Sequence, residues 1–443
     1  MKQKIFFQYT AGLLAGVILF FCITQLLNRM YVEEDAQNRI LWHNFYEDCG
    51  KIDNLYLGSS HVYFDLDPQI LDQLNGQYHF NLSSSSQPLD GSYYLLREAD
   101  RLNDLTHVYL EMYYLINSAT EGPSVPMNWY NTDHMKLSFN KIAYMLSLDA
   151  EDQYIGTLFP FTRYRQRLGD WTYITQRLEE KRGDDYHNFQ YECENGRGYE
   201  SVEKQGYRKS TWVYTDNLKH YRQNTVLSGY SMGGENEAYC RRIITYCQDH
   251  ELPLTLFVAP IYDLQLISTV DYDDYVEEIR ALAKEYGVPF YDFNLAKEEY
   301  LPFQDSRYFR DEEHLNQEGA SLFTALFHEV MTAEDDVSEK YFYDSYAEKL
   351  RALPPAVYGL YDGTASNKTE KKAGRVMYIA SNRDSDMEYQ VMITPENEEP
   401  YLLQDFSENK ELYILSGGSG QCLITARMKG SSEIIQTITI QYY

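Results

Sequence analysis

The sequence predicts an α/β protein built on a parallel, flavodoxin-like sheet. Short apolar segments alternate along the chain with helical patterns, which is typical of a parallel sheet covered on both faces. Five such strand–helix units occur. The chain has 443 residues, 44% of them hydrophobic, so it can form one large domain with additions. In such sheets ligands bind at the carboxyl ends of the strands.

The predicted strands are short and apolar. The first, residues 55–57, ends at Gly58, and a helix is expected to begin at Pro68. The second lies in YHFN and leads into a loop of four serines. The other three lie in HVYLEMYYL, PLTLFVAPI and VPFYDFN, and a helix over about 322–330 closes the set. This α/β domain is expected over residues 50–335.

Two parts of the chain depart from this alternation. Residues 119–225 are rich in tyrosine and charge and contain three tryptophans, which predicts a mixed helical and loop insertion bordering the site. After two consecutive prolines, short β-type runs are separated by turn residues such as SGGSG. Residues 356–443 are therefore expected to form a small accessory β-sandwich.

The N-terminus predicts a membrane anchor. No charged residue lies between positions 5 and 28, and a helix of about 24 residues at about 1.5 Å each spans a bilayer. Lys2 and Lys4 precede it and acidic residues follow it, so a single-pass cell-membrane protein with an extracytoplasmic bulk is expected. A cleaved signal peptide is the alternative, but QLLNRMYVEEDA lacks a small-residue cleavage pattern.

Composition argues against several classes of function. The formal charge of −28 repels phosphate backbones, so no nucleic-acid partner is expected. The six cysteines show no disulfide framework, and no C-x-x-C or H-E-x-x-H pattern occurs. We therefore predict neither a metal site nor a cofactor.

Two serines are candidates for a nucleophile. GYSMG places Ser231 in the G-x-S-x-G pattern of α/β-hydrolases, which requires a buried strand before the serine. The preceding KHYRQNTVLSG has only Val226 and Leu227 as apolar residues, so we interpret the stretch as a glycine-rich entry into a helix. Ser60 instead follows a predicted strand and Gly58, and its hydroxyl would project at the carboxyl edge of the sheet.

A candidate base lies far along the chain. YFRDEEHLNQEGA places Asp311 three residues before His314, ahead of the last helix of the α/β domain. At that reach a carboxylate can bond one ring nitrogen and fix the tautomer, which leaves the other nitrogen as a base. This loop follows the fifth strand, so Ser60, Asp311 and His314 could meet at one sheet edge. A surface Asp-Glu-Glu-His turn is the alternative.

Gly58-Ser59-Ser60 at the first strand, with Asp311-x-x-His314 before the last helix, resembles the SGNH (GDSL-like) hydrolase superfamily. Within it the chain is similar to the membrane-anchored extracytoplasmic O-acyltransferase branch, which includes proteins of teichoic-acid D-alanylation and exopolysaccharide acetylation. The resemblance implies Ser60 as the nucleophile, His314 as the base and Asp311 as the group that orients it.

The resemblance also implies an oxyanion hole. It would use the backbone N–H of Ser60 and a donor near Ser84 or Ser85, while Asn117 is a loose substitute for the asparagine that follows the third strand in the superfamily. Three features depart from the pattern. Ser59 replaces the aspartate of Gly-Asp-Ser, serine replaces the usual glycine after the second strand, and no Gly-x-Asn-Asp follows the third strand.

The expected function is serine-dependent O-acyl transfer or ester hydrolysis on a cell-envelope polysaccharide or teichoic-type polymer, through an acyl-enzyme on Ser60. If the reaction is transfer, the resemblance implies a multi-span membrane partner that delivers the acyl group. One alternative is a catalytically inactive envelope protein that binds or scaffolds glycan. Another is an α/β-hydrolase that uses Ser231 with His314 as its base.

Overall fold

The computed structural model describes most of the chain. The described residues are 2–113, 125–148, 154–214, 221–222, 232, 234–267, 272–362, 375–383, 385–414 and 419–442. Two residues singled out from the sequence, Asn117 and Ser231, lie outside them.

The described part is an α/β protein with a five-stranded parallel sheet, further antiparallel sheets and one apolar N-terminal helix. The strands are β1 Asn54–Leu57, β2 His79–Asn81, β3 His107–Glu111, β4 Glu192–Asn195, β5 Gly198–Val202, β6 Arg208–Ser210, β7 Tyr221–Arg222, β8 Leu254–Val258, β9 Phe290–Asp292, β10 Val357–Asp362, β11 Arg375–Ser381, β12 Met387–Pro395, β13 Tyr401–Ser407, β14 Glu411–Ile414, β15 Gly420–Met428 and β16 Ile434–Tyr442. The α-helices are Lys2–Tyr31, Ala36–Glu47, Ser60–Asp65, Pro68–Asn75, Leu89–Asp100, Val125–Thr132, Phe139–Ser147, Tyr154–Leu158, Trp171–Glu180, Asp184–His187, Gly234–Asp249, Asp263–Ile267, Tyr272–Tyr286, Gln317–Met331, Ser338–Tyr341 and Tyr346–Ala352, and the 3-10 helices are Pro160–Arg167, Lys204–Gly206, Phe293–Leu295 and Ser306–Tyr308.

The central sheet has the spatial order β2-β1-β3-β8-β9, and every neighbouring pair is parallel. All five predicted strands are present. When the strands are numbered within this sheet alone, the order is 2-1-3-4-5, which is a doubly wound order. The first two strands extend the sheet in one direction, and the strands from the third onward extend it in the other. Strands β1 and β8 are buried along their whole length, because helices cover both faces of a parallel sheet.

A short helix that the sequence pattern did not predict follows β1 directly. Helix Ser60–Asp65 begins behind Ser59, whose hydroxyl accepts a hydrogen bond from the N–H of His61. Six residues are too few to show a helical period, so the sequence indicated only the next helix, Pro68–Asn75, which does begin at the expected proline. The unpredicted helix contacts helix Gln317–Met331 and brings Ser60 to the carboxyl edge of the sheet.

The region predicted as a mixed helical and loop insertion also contains an antiparallel sheet, β4-β5-β6. The prediction missed these strands because ECEN, GYESV and RKS lack the alternation of apolar residues that marks a half-buried strand. Their buried side chains are polar instead and include Glu200, Ser201 and Ser210.

The C-terminal region forms two four-stranded sheets, β14-β11-β10-β7 and β13-β12-β15-β16. Both sheets contribute to one apolar cluster, to which Met377 belongs from the first sheet and Tyr389 from the second. The pair Tyr221–Arg222 lies in the predicted insertion, yet it pairs in parallel with β10. Two residues of the predicted insertion therefore belong to a sheet of the C-terminal region.

The N-terminal helix Lys2–Tyr31 contains a segment of 22 residues, Thr10–Tyr31, in which an 18-residue window has a mean hydropathy of 2.1. By length and composition this segment can cross a membrane. Most of its apolar side chains are exposed, including Leu13, Phe20 and Leu26.

Candidate active site

His314 lies between the other two residues of the predicted triad. Its Nε2 is 2.8 Å from Oγ of Ser60, and its Nδ1 is 2.8 Å from Oδ1 of Asp311. An ionised carboxylate can only accept hydrogen bonds, so the network assigns the proton to Nδ1 and leaves Nε2 to accept from the serine hydroxyl. The fold thus joins one serine to a histidine 254 positions away.

The turn that carries the histidine closes on the Asp311 side chain. Oδ1 of Asp311 accepts the backbone N–H groups of Glu313 at 3.0 Å and His314 at 2.9 Å. The N–H of Arg310 donates to the carbonyl of His314 at 3.0 Å. Aspartate commonly bonds backbone two or three residues ahead, so this local sequence favours the turn. These bonds orient the carboxylate toward the imidazole.

A second contact fixes the turn against the helix of Ser60. The buried carboxylate of Asp65, at the end of that helix, accepts the N–H of Leu315 at 2.9 Å. Burial raises the pKa of Asp65 well above its usual range, and the bond from Leu315 opposes this. Because Ser60 begins the helix and Asp65 ends it, this contact sets the separation of serine and histidine.

Two arginines and Glu200 continue the chain of hydrogen bonds from Ser60, His314 and Asp311. Nη1 of Arg310 donates to Oδ2 of Asp311 at 2.5 Å, and its Nη2 donates to Oε1 of Glu200 at 2.7 Å. Arg208 donates to the other oxygen of Glu200 at 2.8 Å. Burial raises the pKa of Asp311, but the charge and hydrogen bond of His314, followed by the charge of Arg310, outweigh it and hold this pKa well below its usual range. Asp311 therefore stays ionised at neutral pH.

Gly58 lets the chain turn tightly behind the serine. Its φ is +155°, and a Cβ there would lie 2.5 Å from Cβ of Glu111 at the end of β3. The N–H of Ser59 donates to Oε2 of Glu111 at 3.1 Å. Burial raises the pKa of Glu111 to about 7, opposed by the hydrogen bonds from Ser59. The glycine is required because a Cβ at this position would overlap the side chains of Glu111 and Val62.

A second histidine lies beside the triad. The His61 ring stacks on the His314 ring with centroids 4.8 Å apart, and its Nδ1 is 3.0 Å from Oγ of Ser59. Burial, followed by the charge of His314, lowers the pKa of His61 well below its usual value, so it is neutral at pH 7. Its Nε2 forms no hydrogen bond to the described part of the chain.

The three side chains predicted near the oxyanion hole are those of Ser84, Ser85 and Asn117. Ser84 is buried, and its hydroxyl bonds Gln87 at 3.0 Å and the amide of Asn131 at 2.9 Å. Ser85 bonds the hydroxyl of Tyr63 at 2.9 Å, on the helix that Ser60 begins. Neither serine has a hydrogen bond to Ser60 among the described residues. The hydroxyls of both serines are thus hydrogen-bonded to neighbouring side chains, and Asn117 is outside the described residues.

Three side chains are close enough to share a metal ion. Ligand atoms of His61, Glu313 and His314 lie within 4.8 Å of one another. Both ring nitrogens of His314 already bond Ser60 and Asp311, so a cation would have to displace one of these bonds. Metal binding would therefore compete with the triad geometry.

Sequence reasoning missed Glu200 and Arg310. Arg310 is adjacent to Asp311, which was a usable signal, because a basic neighbour can stabilise an ionised aspartate. Glu200 is 110 positions away on β5, and nothing in its local sequence indicates this contact.

The arrangement fits nucleophilic catalysis. A serine hydroxyl hydrogen-bonded to a histidine that is oriented by a carboxylate is the geometry of an activated serine nucleophile. Ser60 and His314 are half-buried, so solvent can reach them. The backbone N–H of Ser60 is at the start of its helix, where no intrahelical acceptor is available, and it can donate to an oxyanion.

No protein-family model matches this chain, and no curated protein matches it. Among solved structures, a “putative acylhydrolase” from Bacteroides fragilis NCTC 9343 is 10% identical, with 68% of this chain and 98% of that chain covered and a TM-score of 0.32. An endo-beta-1,4-mannanase double mutant from Cellulomonas fimi is 10% identical, with 92% and 98% covered and a TM-score of 0.16. These scores are too low to support an argument about activity.

Proposed function

We propose that this chain is an SGNH-type serine enzyme that transfers or hydrolyses an acyl ester on a cell-envelope polysaccharide or teichoic-type polymer. The observation that carries the proposal is the hydrogen-bonded row Ser60–His314–Asp311, with 2.8 Å at both links. The neighbouring Ser–His pair, formed by Ser59 and His61, is buried, and within the described residues no carboxylate is hydrogen-bonded to His61.

In the proposed mechanism, Oγ of Ser60 attacks the acyl carbonyl while Nε2 of His314 takes the hydroxyl proton. The bond to the leaving oxygen then breaks, and His314 returns the proton to it, which leaves an ester on Ser60. A polymer hydroxyl completes transfer, or water completes hydrolysis, with His314 again as the base. Asp311 stabilises the imidazolium that forms in each step.

The oxyanion of each tetrahedral intermediate would be held by the Ser60 N–H and a backbone donor from the loop of Ser84 and Ser85, with Asn117 as a further candidate. One such donor contributes about 3–4 kcal/mol in well-studied enzymes. In this proposal the side chains of Ser84 and Ser85 shape the loop through Gln87, Asn131 and Tyr63, as their hydrogen bonds indicate.

The proposal includes a location and partners. The N-terminal helix is a single membrane span, and the lysines before it and acidic residues after it support an extracytoplasmic bulk. Residues 50–335 form the catalytic domain with its insertion at 119–225, and 356–443 form an accessory β-sandwich. For transfer, a multi-span membrane protein delivers the acyl group.

A fluorophosphonate probe tests the assignment of the nucleophile. The full-length protein in detergent is treated with the probe, and the labelled peptide is identified by mass spectrometry. We expect the label on Ser60 and none on the Ser60→Ala protein. Ser59→Ala and Ser231→Ala are matched controls that should label as the wild type does.

Two results would replace the proposal. A label on Ser231 that disappears in Ser231→Ala would assign the chemistry to the G-x-S-x-G stretch. No label on the wild type, together with measurable binding to envelope polysaccharide, would favour a glycan-binding protein without catalysis.

A further inference from the structure

The insertion contacts the N-terminal helix, and the residue that follows it, at successive positions along the helix axis. Lys181 donates to the carbonyl of Val32 at 2.7 Å, and Tyr173 donates through its hydroxyl to the carbonyl of Tyr31 at 2.9 Å. Nearer the N-terminus of the helix, Oδ1 of Asn28 accepts the N–H of Phe161 at 3.1 Å. As residue numbers in the insertion decrease, the contacts therefore move toward the middle of the apolar segment.

The deepest of these contacts lies well inside that segment. The rings of Phe159 and Phe20 meet edge to face with centroids 5.7 Å apart. Phe20 precedes Tyr31 by eleven residues, which corresponds to about 16 Å along the helix. The hydrocarbon core of a bilayer is about 30 Å thick, so this distance is roughly half of it. If the helix spans a bilayer, Phe159 must enter the bilayer with it.

The backbone around Phe159 suits a low-polarity environment. Its N–H donates to the carbonyl of Ile155 at 2.8 Å, and its carbonyl accepts the N–H of Thr162 at 2.9 Å. Helix Tyr154–Leu158 and the 3-10 helix Pro160–Arg167 flank it. Backbone groups in hydrocarbon need internal partners, and these turns supply them.

Exposed apolar side chains lie close to Phe159 in the sequence. Ile155 is 64% exposed, Leu158 51%, Leu168 59% and Trp171 73%. Large apolar side chains clustered on a surface mark an interaction site rather than ordinary exposure to water. A cavity of about 400 Å³ opens among them, lined in part by Trp129, Ile155 and Leu168.

The charge beside these side chains is opposite to that of the whole protein. The 3-10 helix Pro160–Arg167 contains three arginines and no acidic residue, whereas the chain carries a formal charge of −28. Arg163 is held by Asp133 at 2.6 Å and by the face of Trp129. Arg165 and Arg167 are exposed, and Arg167 lies 3.5 Å from the half-exposed carboxylate of Asp170. Arginines next to exposed leucine, isoleucine and tryptophan are typical of a surface that lies in the interface of an anionic bilayer.

We propose that residues 155–171 form a second membrane contact, the insertion face, which is seated in the bilayer beside the N-terminal helix and binds anionic lipid headgroups through Arg165 and Arg167. The occupant is the lipid bilayer itself, because the face is continuous with the apolar helix through Phe20. The inference rests on the membrane-spanning assignment of that helix but not on the acyl chemistry. It implies that the catalytic domain is held at a fixed height and tilt.

Brominated lipids test the inference on the full-length protein. The chain has four tryptophans, and bromine on acyl chains quenches only those near the hydrocarbon. In nanodiscs of phosphatidylcholine and phosphatidylglycerol, we expect brominated chains to quench the wild type. Trp171→Phe should lose at least half of that quenching, whereas the matched control Trp212→Phe should keep it. Equal fractional quenching in Trp171→Phe and the wild type would overturn the insertion face.

A charge-reversal pair tests the headgroup contact. Quenching of the wild type should fall when phosphatidylglycerol is omitted, and an Arg165→Glu/Arg167→Glu protein should show no such dependence. Lys51→Glu/Lys429→Glu makes the same change in charge at exposed sites elsewhere and should behave as the wild type does. Retained lipid dependence in the arginine variant would contradict the proposal. Fluorophosphonate labelling is a separate readout, so failure of the acyl chemistry leaves these outcomes interpretable.

Discussion

Two Ser–His pairs lie side by side in this protein, and only one has the geometry of a catalytic pair. Ser59 and His61 are buried, and their oxygen and Nδ1 are 3.0 Å apart. Ser60 and His314 are half-buried, with oxygen and Nε2 2.8 Å apart. The difference lies in what else each histidine contacts: Asp311 bonds the second nitrogen of His314, while the second nitrogen of His61 has no hydrogen-bond partner in the described chain.

A serine that lies close to a histidine is not by that alone an activated nucleophile. A histidine acts as a base when a carboxylate fixes its tautomer, stabilises its charge and leaves the other nitrogen open to the site. The pKa of His61 is instead lowered by burial, which favours its neutral ring. We therefore expect the adjacent serines to have different roles, because their histidines lie in different surroundings.

The largest expected effect separates the two serines. Ser60→Ala should lower kcat for hydrolysis of 4-nitrophenyl acetate on the order of 10⁶-fold, the loss seen when a triad serine is removed in a well-studied protease. Ser59→Ala removes a helix cap worth about 1 kcal/mol and should keep most of the activity. Equal losses of kcat in the two variants would contradict the assignment of Ser60, rather than Ser59, as the nucleophile.

The next effect concerns the orienting carboxylate. Asp311→Asn should lower kcat about 10⁴-fold, because an amide favours the wrong imidazole tautomer. Asp305→Asn is the matched control, since Asp305 is an exposed aspartate that caps the nearby 3-10 helix. Steady-state kinetics on both proteins checks this. An Asp311→Asn protein with near wild-type kcat would remove the carboxylate from the mechanism.

A smaller effect on kcat is expected from Glu200, which bonds Arg310 next to Asp311. Glu200→Gln weakens the contact that positions Arg310, and a displacement of this kind can cost up to about 100-fold in kcat. The expected KM is unchanged, because Glu200 does not touch the reacting atoms. Glu388→Gln breaks a comparable ion pair with Arg427 in the C-terminal region and should leave kcat unaffected. A change in KM alone would contradict a positioning role.

The smallest effect on activity is expected for substitution of Glu111. This residue is expected to change the pH dependence of the free energy of unfolding instead. Its pKa is about 7 in the folded protein and near 4.5 when unfolded, so between these values the folded state holds a proton that the unfolded state lacks. This contribution is fully present below about pH 4.5 and is lost as the pH rises through 7, by up to roughly 3 kcal/mol. Urea unfolding between pH 4.5 and 7.5 should show a flatter dependence for Glu111→Gln. Identical slopes would show that Glu111 is ionised in the fold.

Much of the fold followed from local pattern. All five strands of the parallel sheet, the helix at Pro68 and the apolar N-terminal segment were predicted, because burial on both faces and bilayer length each leave a continuous apolar signature. The strands β4, β5 and β6 left none, since polar Glu200 and Ser201 fill their buried positions. The domain limits, like the catalytic roles, remain predictions for experiment.

The sequence by itself determined which residues could form a triad. The spacing of Asp311 and His314 within one turn and the position of Ser60 after a buried strand are local properties, and they could be recognised without coordinates. Only the tertiary structure decided that the three meet, that Arg310 and Glu200 support them, and that His61 is excluded from solvent. Those outcomes depend on contacts between residues more than a hundred positions apart, which arise only when the sheet, the insertion and the last helix pack together.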